Sequence, residues 1–177
     1  MKNRLIRVPV DEAAFGDQRP VEMFAPGRFD INGREEVYDR DRIQAIVAKT
    51  KENAARFPSL RKIPVQVGHT ANDVIGWVNP DEIEVDDEGR MRGTVDITHP
   101  DHAAKADDGT YRNVSVQFYS SSDRDESTGE PIGEALEHLA IVQKARNRQT
   151  RGFVFADEYE SPDGDESQCP DERGWFA

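Results

Sequence analysis

Cysteine is nearly missing from this sequence, since Cys169 is the single one among 177 residues. No intramolecular disulfide can form, so we expect the protein to work in a reducing compartment. Cys169 lies in a segment crowded with Asp and Glu, and nearby carboxylates disfavour the reactive thiolate. The sequence therefore argues against a disulfide-stabilised fold and against cysteine catalysis.

Long apolar segments and an excess of cations are missing as well. No run approaches the roughly 20 apolar residues that a membrane helix needs, and no apolar stretch typical of a signal peptide follows the basic N-terminal residues. The chain has 23 Lys and Arg against 35 Asp and Glu, which gives a formal charge of −12. Because nucleic-acid binding requires clustered cations, we expect neither nucleic acid nor a membrane as a partner.

The chain is long enough for one domain with a buried core. We expect this domain in residues 1–156 and a tail in residues 157–177, where Asp, Glu, Pro, Gly and Ser dominate. Such a composition buries too little apolar surface to offset the entropy lost on ordering the chain. The tail is therefore predicted to be disordered.

One strong amphipathic helix is predicted in residues 39–57. Its apolar side chains recur at helical spacing, Asp39 or Asp41 can cap its start, and Pro58 ends it. We expect the helix to pack on a sheet. A short helix or turn is predicted at residues 99–106, where Pro100 can occupy a first helical position.

The remaining pattern is typical of short strands separated by turn signals. Residues 1–35 look irregular apart from two short strands, and residues 120–133 form a polar loop that we expect to be mobile. No alternating βαβ rhythm is visible. We therefore predict a mainly β fold with peripheral helices, most simply a largely antiparallel β-barrel. The strands are predicted at residues 5–10, 21–24, 63–67, 74–78, 83–85, 90–97, 111–118, 136–142 and 152–155.

Three β segments carry one conspicuous polar residue each. Ser115 lies in the alternating segment 111–118 (YRNVSVQF), opposite its apolar row, His69 follows the segment IPVQVG, and His138 lies in the segment LEHLAIV. A serine hydroxyl is a weak nucleophile until a base removes its proton, and imidazole has a suitable pKa of about 6.5. Their spacing alone leaves open whether these residues meet, or whether each is an ordinary strand or turn residue.

The order of these segments resembles the tailed-phage prohead maturation proteases, a family of capsid-assembly serine peptidases that shares the herpesvirus assemblin fold. The resemblance covers about residues 24–143 and rests on the order of several segments together. These are FAPGRF (24–29), the helix 39–57, IPVQVGH (63–69), GWV (76–78), the turn DDEG (86–89) with MRGTV (91–95), YRNVSVQF (111–118) and HLAIV (138–142).

The resemblance implies a role for each candidate residue. Ser115 would be the nucleophile, His69 the general base, and His138 the third residue that orients His69. Many phage members carry an acid at the third position; here the neighbouring acid is Glu137, which strand alternation places on the opposite face. After the third strand the family commonly has a Pro-Ala segment, whereas this chain has QKAR (143–146).

A second histidine in the third position has a chemical consequence. A neutral imidazole can accept the N–H of His69, but it stabilises the imidazolium less than a carboxylate does, so we expect a slow enzyme. The oxyanion of the transition state needs preorganised donors. Arg112, or an arginine among residues 146–151, would be an auxiliary group that orders a water or a backbone N–H there.

The implied function is processing of the major capsid protein and the scaffold protein inside an immature phage shell in the host cytoplasm. Self-cleavage and assembly into a homo-oligomer are further expectations. No cofactor and no metal are expected.

Two alternatives remain open from the sequence. The first is a metal site, in which His99 and His102, with Asp96 nearby, are joined by His69 or His138. The second is a structural protein of the same fold that has lost catalytic activity and acts as a capsid scaffold, since fold does not fix function.

Overall fold

A computed structural model describes residues 18–70 and 73–142 and the backbone of residues 152–153. The N-terminal strand predicted at residues 5–10 and the acidic tail at residues 157–177 lie outside the described residues. The elements are β1 (Gln18–Phe24), β2 (Gly27–Ile31), β3 (Arg34–Tyr38), α1 (Arg40–Arg56), β4 (Ile63–Val67), β5 (Val74–Val78), β6 (Glu84–Val85), β7 (Met91–Ile97), α2 (Pro100–Asp107), β8 (Asn113–Phe118), β9 (Leu136–Val142) and β10 (Gly152–Phe153).

The chain is mainly β, with two α-helices in the described residues and one large curled sheet. The sheet order is β10-β1-β7-β5-β4-β9-β8, and the short β6 pairs with β7 beside this path. The strands at the two ends approach each other, because β8 contacts both β1 and β10. The sheet therefore forms a half-barrel with an opening between its ends.

The prediction of a largely antiparallel barrel is corrected by the pairing of β4 with β9. These two strands run parallel, with Gln66 opposite Ala140, so the sheet is mixed. A parallel pair needs a long connection between its strands, and here the chain forms four strands and a helix before it returns. Periodicity within each segment carries no information on this non-local pairing.

The N-terminal part is more regular than predicted. β1 pairs with β7, and β2 and β3 form a separate hairpin. Asn32 and Gly33 connect the hairpin with φ values of 54° and 76°, which is typical of a two-residue type I′ turn. Charged residues obscure the alternation in β2 and β3, and the Asn-Gly pair was the sequence signal for this hairpin.

The helix α1 confirms the prediction and anchors β9. Asp39 caps it by accepting a hydrogen bond from the backbone N–H of Arg42 at 2.8 Å. Thr50 is buried; its hydroxyl donates to the Ile46 carbonyl at 2.7 Å and accepts from the Leu136 N–H at 2.9 Å. Because Leu136 opens β9, this contact fixes the start of the strand that carries His138.

The loop before β9 is organised by a buried carboxylate. Asp125 is only 5% exposed; it accepts hydrogen bonds from the Thr128 N–H at 2.8 Å and from the Ser59 hydroxyl at 3.1 Å. The loop that was predicted as mobile thus has a defined turn attached to the segment after α1.

The apolar core lies between the concave face of the sheet and α1. No helix in the described ranges is long and apolar enough to cross a membrane. Fully buried core residues come from β1, α1, β4, β7 and β9, and they include Val21, Met23, Ile43, Ile46, Val65, Met91, Val95 and Leu139.

Candidate active site

Ser115 lies in the middle of β8, in a row of small and polar residues across three strands. It is paired with Ala140 of β9, and Ala140 is paired with Gln66 of β4. Directly paired residues point to the same face of a sheet. Gln117 and His138, two positions further along, form the next pair on this face, so Ser115 and His138 are diagonal neighbours.

The end of β4 positions His69. Gly68 has a φ of 77°, a left-handed conformation that favours glycine, and its N–H donates to the Ile141 carbonyl at 2.9 Å. The side-chain amide of Gln66 donates to the Gly68 and His69 carbonyls, each at 3.0 Å. The strand thus turns sharply beside β9, and the backbone of His69 is held in place.

His69 and His138 contact each other directly. Nδ1 of His69 lies 2.9 Å from Nε2 of His138, and the ring centroids are 5.2 Å apart. His138 is 8% exposed, whereas His69 is exposed. A buried imidazole therefore holds an accessible one by its Nδ1 atom, as the resemblance implied for an orienting residue.

Burial and the neighbouring His69 together lower the pKa of His138 to about 4. His138 is therefore neutral at neutral pH, so one nitrogen of its ring donates while the other accepts. When His138 accepts at Nε2, its proton lies on Nδ1 and the lone pair of His69 lies on Nε2. In that tautomer His69 is a base at the nitrogen that points away from His138.

Glu137 lies closer to this pair than strand alternation predicts. Its Oε1 atom is 3.8 Å from Nδ1 of His138, and both side chains line the same cavity. A glutamate has enough rotatable bonds to bend around a strand, which accounts for the difference. Burial, followed by the neighbouring Asp123, raises the pKa of Glu137.

The hydroxyl of Ser115 is the least accessible part of the site. Ser115 is 6% exposed, and within the described ranges its hydroxyl forms no hydrogen bond with either imidazole. Diagonal neighbours on paired strands have Cα atoms about 7–8 Å apart. The structure thus brings Ser115 into the neighbourhood of the histidine pair, and the direct contact that it shows is the one between His69 and His138.

Two cavities meet at this region. One, of about 370 Å³, is lined by Ser115 together with aromatic residues of β1, β3 and β8. The other, of about 350 Å³, is lined by Gln66, Glu137 and His138. Tyr119 lines both, so the cavity at Ser115 and the cavity at His138 are adjacent at this residue.

Arg112 lies just before β8 and is exposed. It is not among the described residues that line either cavity. The structure therefore does not place it as an oxyanion donor, and the arginines of residues 146–151 lie outside the described residues.

The metal-site hypothesis finds no ligand set in residues 18–70 and 73–142, where no group of three or more His, Cys, Asp or Glu side chains could hold an ion. The rings of His99 and His102 are 5.1 Å apart. Nδ1 of His102 instead contacts the Tyr111 hydroxyl at 2.7 Å, which ties α2 to the segment before β8.

Sequence reasoning missed the role of Gln66. It appeared only as the polar residue of an otherwise apolar segment, where alternation already places it opposite Ile63, Val65 and Val67. Its side-chain amide binds the carbonyls of Gly68 and His69. These two groups come within hydrogen-bond distance of Gln66 only because the chain turns at Gly68. That a polar residue precedes a Gly-His pair was the available signal.

No protein-family model, no curated protein and no solved structure matches this chain.

Proposed function

We propose that this protein is a serine endopeptidase in which Ser115 is the nucleophile, His69 the general base and His138 the residue that orients the base. The observation that carries the proposal is the contact between Nδ1 of His69 and Nε2 of the buried His138, at 2.9 Å. A base held by one nitrogen presents the other to a nucleophile, which is the arrangement of a catalytic triad.

The chemistry follows from this arrangement. His69 takes the Ser115 proton at Nε2 as the hydroxyl attacks the scissile carbonyl, and it returns the proton to the leaving amine. His138 accepts the Nδ1–H of His69 and disperses part of the positive charge. In the second half of the reaction His69 takes a proton from a water molecule, and this water hydrolyses the acyl-serine. For this transfer Nε2 of His69 must come within hydrogen-bond distance of the Ser115 hydroxyl, and catalytic hydrogen bonds commonly tighten only when substrate binds.

The substrate class comes from the resemblance to prohead maturation proteases. The proposed substrates are the major capsid protein and the scaffold protein of an immature phage shell, with self-cleavage as a further activity. The mainly β half-barrel, with the nucleophile and third-residue segments on neighbouring strands β8 and β9, supports an assemblin-like fold. A slow enzyme is adequate where the substrate is packed beside it at high effective concentration.

The test is co-expression of the chain with the capsid and scaffold proteins of the same phage, with cleavage read on a gel and by mass spectrometry of the new termini. Wild-type chain should cut at least one of them, and Ser115→Ala should leave both intact. Ser127→Ala, at an exposed serine that lines neither cavity, is the matched control and should retain cleavage. A wild-type pattern indistinguishable from Ser115→Ala would contradict the proposal.

The second candidate function is a catalytically inactive capsid scaffold of the same fold. It is favoured by the low exposure of Ser115, 6%, and by the missing hydrogen bond between its hydroxyl and the histidines among the described residues. Under this alternative the shells assemble equally well with wild-type chain and with Ser115→Ala. Assembly counted by electron microscopy, in parallel with cleavage, separates the two functions.

A further inference from the structure

The cavity beside Ser115 has a floor of four packed aromatic rings. Phe24 is central, with ring centroids 5.5 Å from Phe29, 5.1 Å from Tyr38 and 5.2 Å from Phe118. Together with Met23 and Ile31 these residues line a space of about 370 Å³. This size lies in the range of sites that take small ligands, and the lining suits an apolar group.

The position of the cavity ties it to the proposed catalytic residues. It lies where the half-barrel is open, between the end of β1 and β8, and the β2–β3 hairpin forms its third wall. Ser115, Val116 and Gln117 all contribute to the lining. Because β8 is the last strand in the sheet order, a peptide that runs along this edge past Ser115 would have the aromatic floor beside it.

The charges at the rim select against an acidic ligand. Among the residues that the structure describes, Arg42 is the one cation that lines the cavity, and its guanidinium stacks 3.9 Å from the centre of the Tyr38 ring. Arg42 donates to Glu36 at 2.8 Å and, through two nitrogens, to Glu134 at 2.8 Å. Two carboxylates face one guanidinium, so the described part of the rim has an excess of one negative charge, which disfavours an acidic ligand.

We propose that this cavity is a specificity subsite that binds a large apolar side chain, such as Leu, Met or Phe, of a peptide whose backbone passes Ser115. The assignment rests on the proposed peptidase function for the position of the peptide, and on the lining alone for the chemistry of the side chain. Burial of an apolar side chain strengthens binding by about 10- to 100-fold, which is enough to decide between an apolar residue and Asp at one position of a substrate.

The first experiment reads binding without catalysis. Ser115→Ala protein labelled with ¹⁵N is titrated with N-acetyl-leucine amide, N-acetyl-phenylalanine amide and N-acetyl-aspartic acid amide. The two apolar ligands should shift the amide resonances of Phe29, Phe118 and Tyr119, and the Asp ligand should leave them in place. Absence of these shifts, or shifts confined to other parts of the chain, would overturn the subsite whether or not the protein cleaves anything.

The second experiment reads specificity in wild-type chain, with a library of peptides from a tryptic digest of a bacterial lysate. Cleaved peptides should be enriched in large apolar residues at one fixed position and depleted in Asp and Glu there. Phe29→Ala should raise KM for such a peptide about tenfold with kcat nearly unchanged, because it removes ground-state binding. Val37→Ala on the same hairpin, exposed and outside the lining, should change neither.

The two arms separate failure of the subsite from failure of the function. The resonance shifts caused by the leucine and phenylalanine ligands should be lost in Phe29→Ala and retained in Val37→Ala. This result supports the subsite even if no peptide is cut. In that case the peptidase function alone is contradicted. Cleavage that favours an acidic residue, or that has no preference at any position, overturns the subsite while it supports the peptidase.

Discussion

His69 and His138 are 69 positions apart in sequence and join through Nδ1 and Nε2 at 2.9 Å. One ring is exposed at the end of β4, and the other is buried in β9 with 8% of its surface accessible. In the parallel register Gln66 lies opposite Ala140, two residues beyond His138 along β9. The turn at Gly68 therefore has to bring His69 back along the sheet to reach His138. The predictions below start from this pair.

The three proposed catalytic residues should differ in their effects on cleavage. His69→Ala removes the general base and should lower kcat/KM by about 10²–10⁴, as should Ser115→Ala. His138→Ala leaves nucleophile and base in place, so we expect a smaller loss, and His138→Glu should retain more activity than His138→Ala because a carboxylate accepts the same N–H. Initial rates of cleavage of one peptide substrate by the four variants measure these effects. A loss in His138→Ala equal to that in His69→Ala would argue against a purely orienting role.

The depressed pKa of His138 should make the protein less stable in mild acid. The folded pKa of about 4 lies below the unfolded value of about 6.5, so between these values the unfolded chain binds more protons. The stability contributed by neutral His138 is complete above pH 6.5 and is lost as the pH falls toward 4, by up to about 3 kcal/mol.

Urea unfolding at pH 7 and at pH 4.5, in wild-type chain and in His138→Gln, measures this contribution. The glutamine can still contact His69 but does not titrate, so the loss between the two pH values should be smaller in the variant. An equal loss in both proteins would assign the acid sensitivity to other groups.

Glu137 should favour the productive tautomer of His138. Its carboxylate, 3.8 Å from Nδ1 of His138, stabilises a proton at that nitrogen, which leaves Nε2 to accept from His69. Glu137→Gln should lower kcat by a few-fold with little change in KM, well below the effect of His138→Ala. The ¹⁵N chemical shifts of the His138 ring report the tautomer directly. A fully active Glu137→Gln with unchanged ring shifts would remove Glu137 from the mechanism.

The turn at Gly68 should matter for activity more than for stability. Gly68 and Gly33 have φ values of 77° and 76°, and a Cβ at either would meet nothing within 4 Å. Alanine at each position should therefore cost about 1 kcal/mol of stability through backbone strain alone. Gly68→Ala should also lower kcat/KM because it displaces His69, whereas Gly33→Ala on the distant hairpin turn should not. Equal activity in both variants would contradict the positioning role of this turn.

The helix, the hairpin turn and the faces of the strands could be predicted from the sequence because they depend on residues close together in the chain. The helix α1 begins after the capping Asp39 and ends before Pro58, as the pattern predicted, and β6 and β7 form the predicted hairpin around the turn at residues 86–89. The faces of β8 also followed, with Val114 in the core and Ser115 on the row that includes His138. Side-chain alternation and helix capping depend only on residues a few positions away, so the local sequence is enough to predict them.

The strand order, the parallel β4–β9 pair and the contact between His69 and His138 were decided by tertiary structure alone. Strand register is a property of two segments at once, so no pattern within either segment specifies its partner. The position of Glu137 depends on a side-chain torsion and on burial beside β9, and the aromatic cavity combines β1, β3 and β8. The sequence by itself determined which residue types are available and which face of each strand they occupy, whereas long-range packing determined which of them meet.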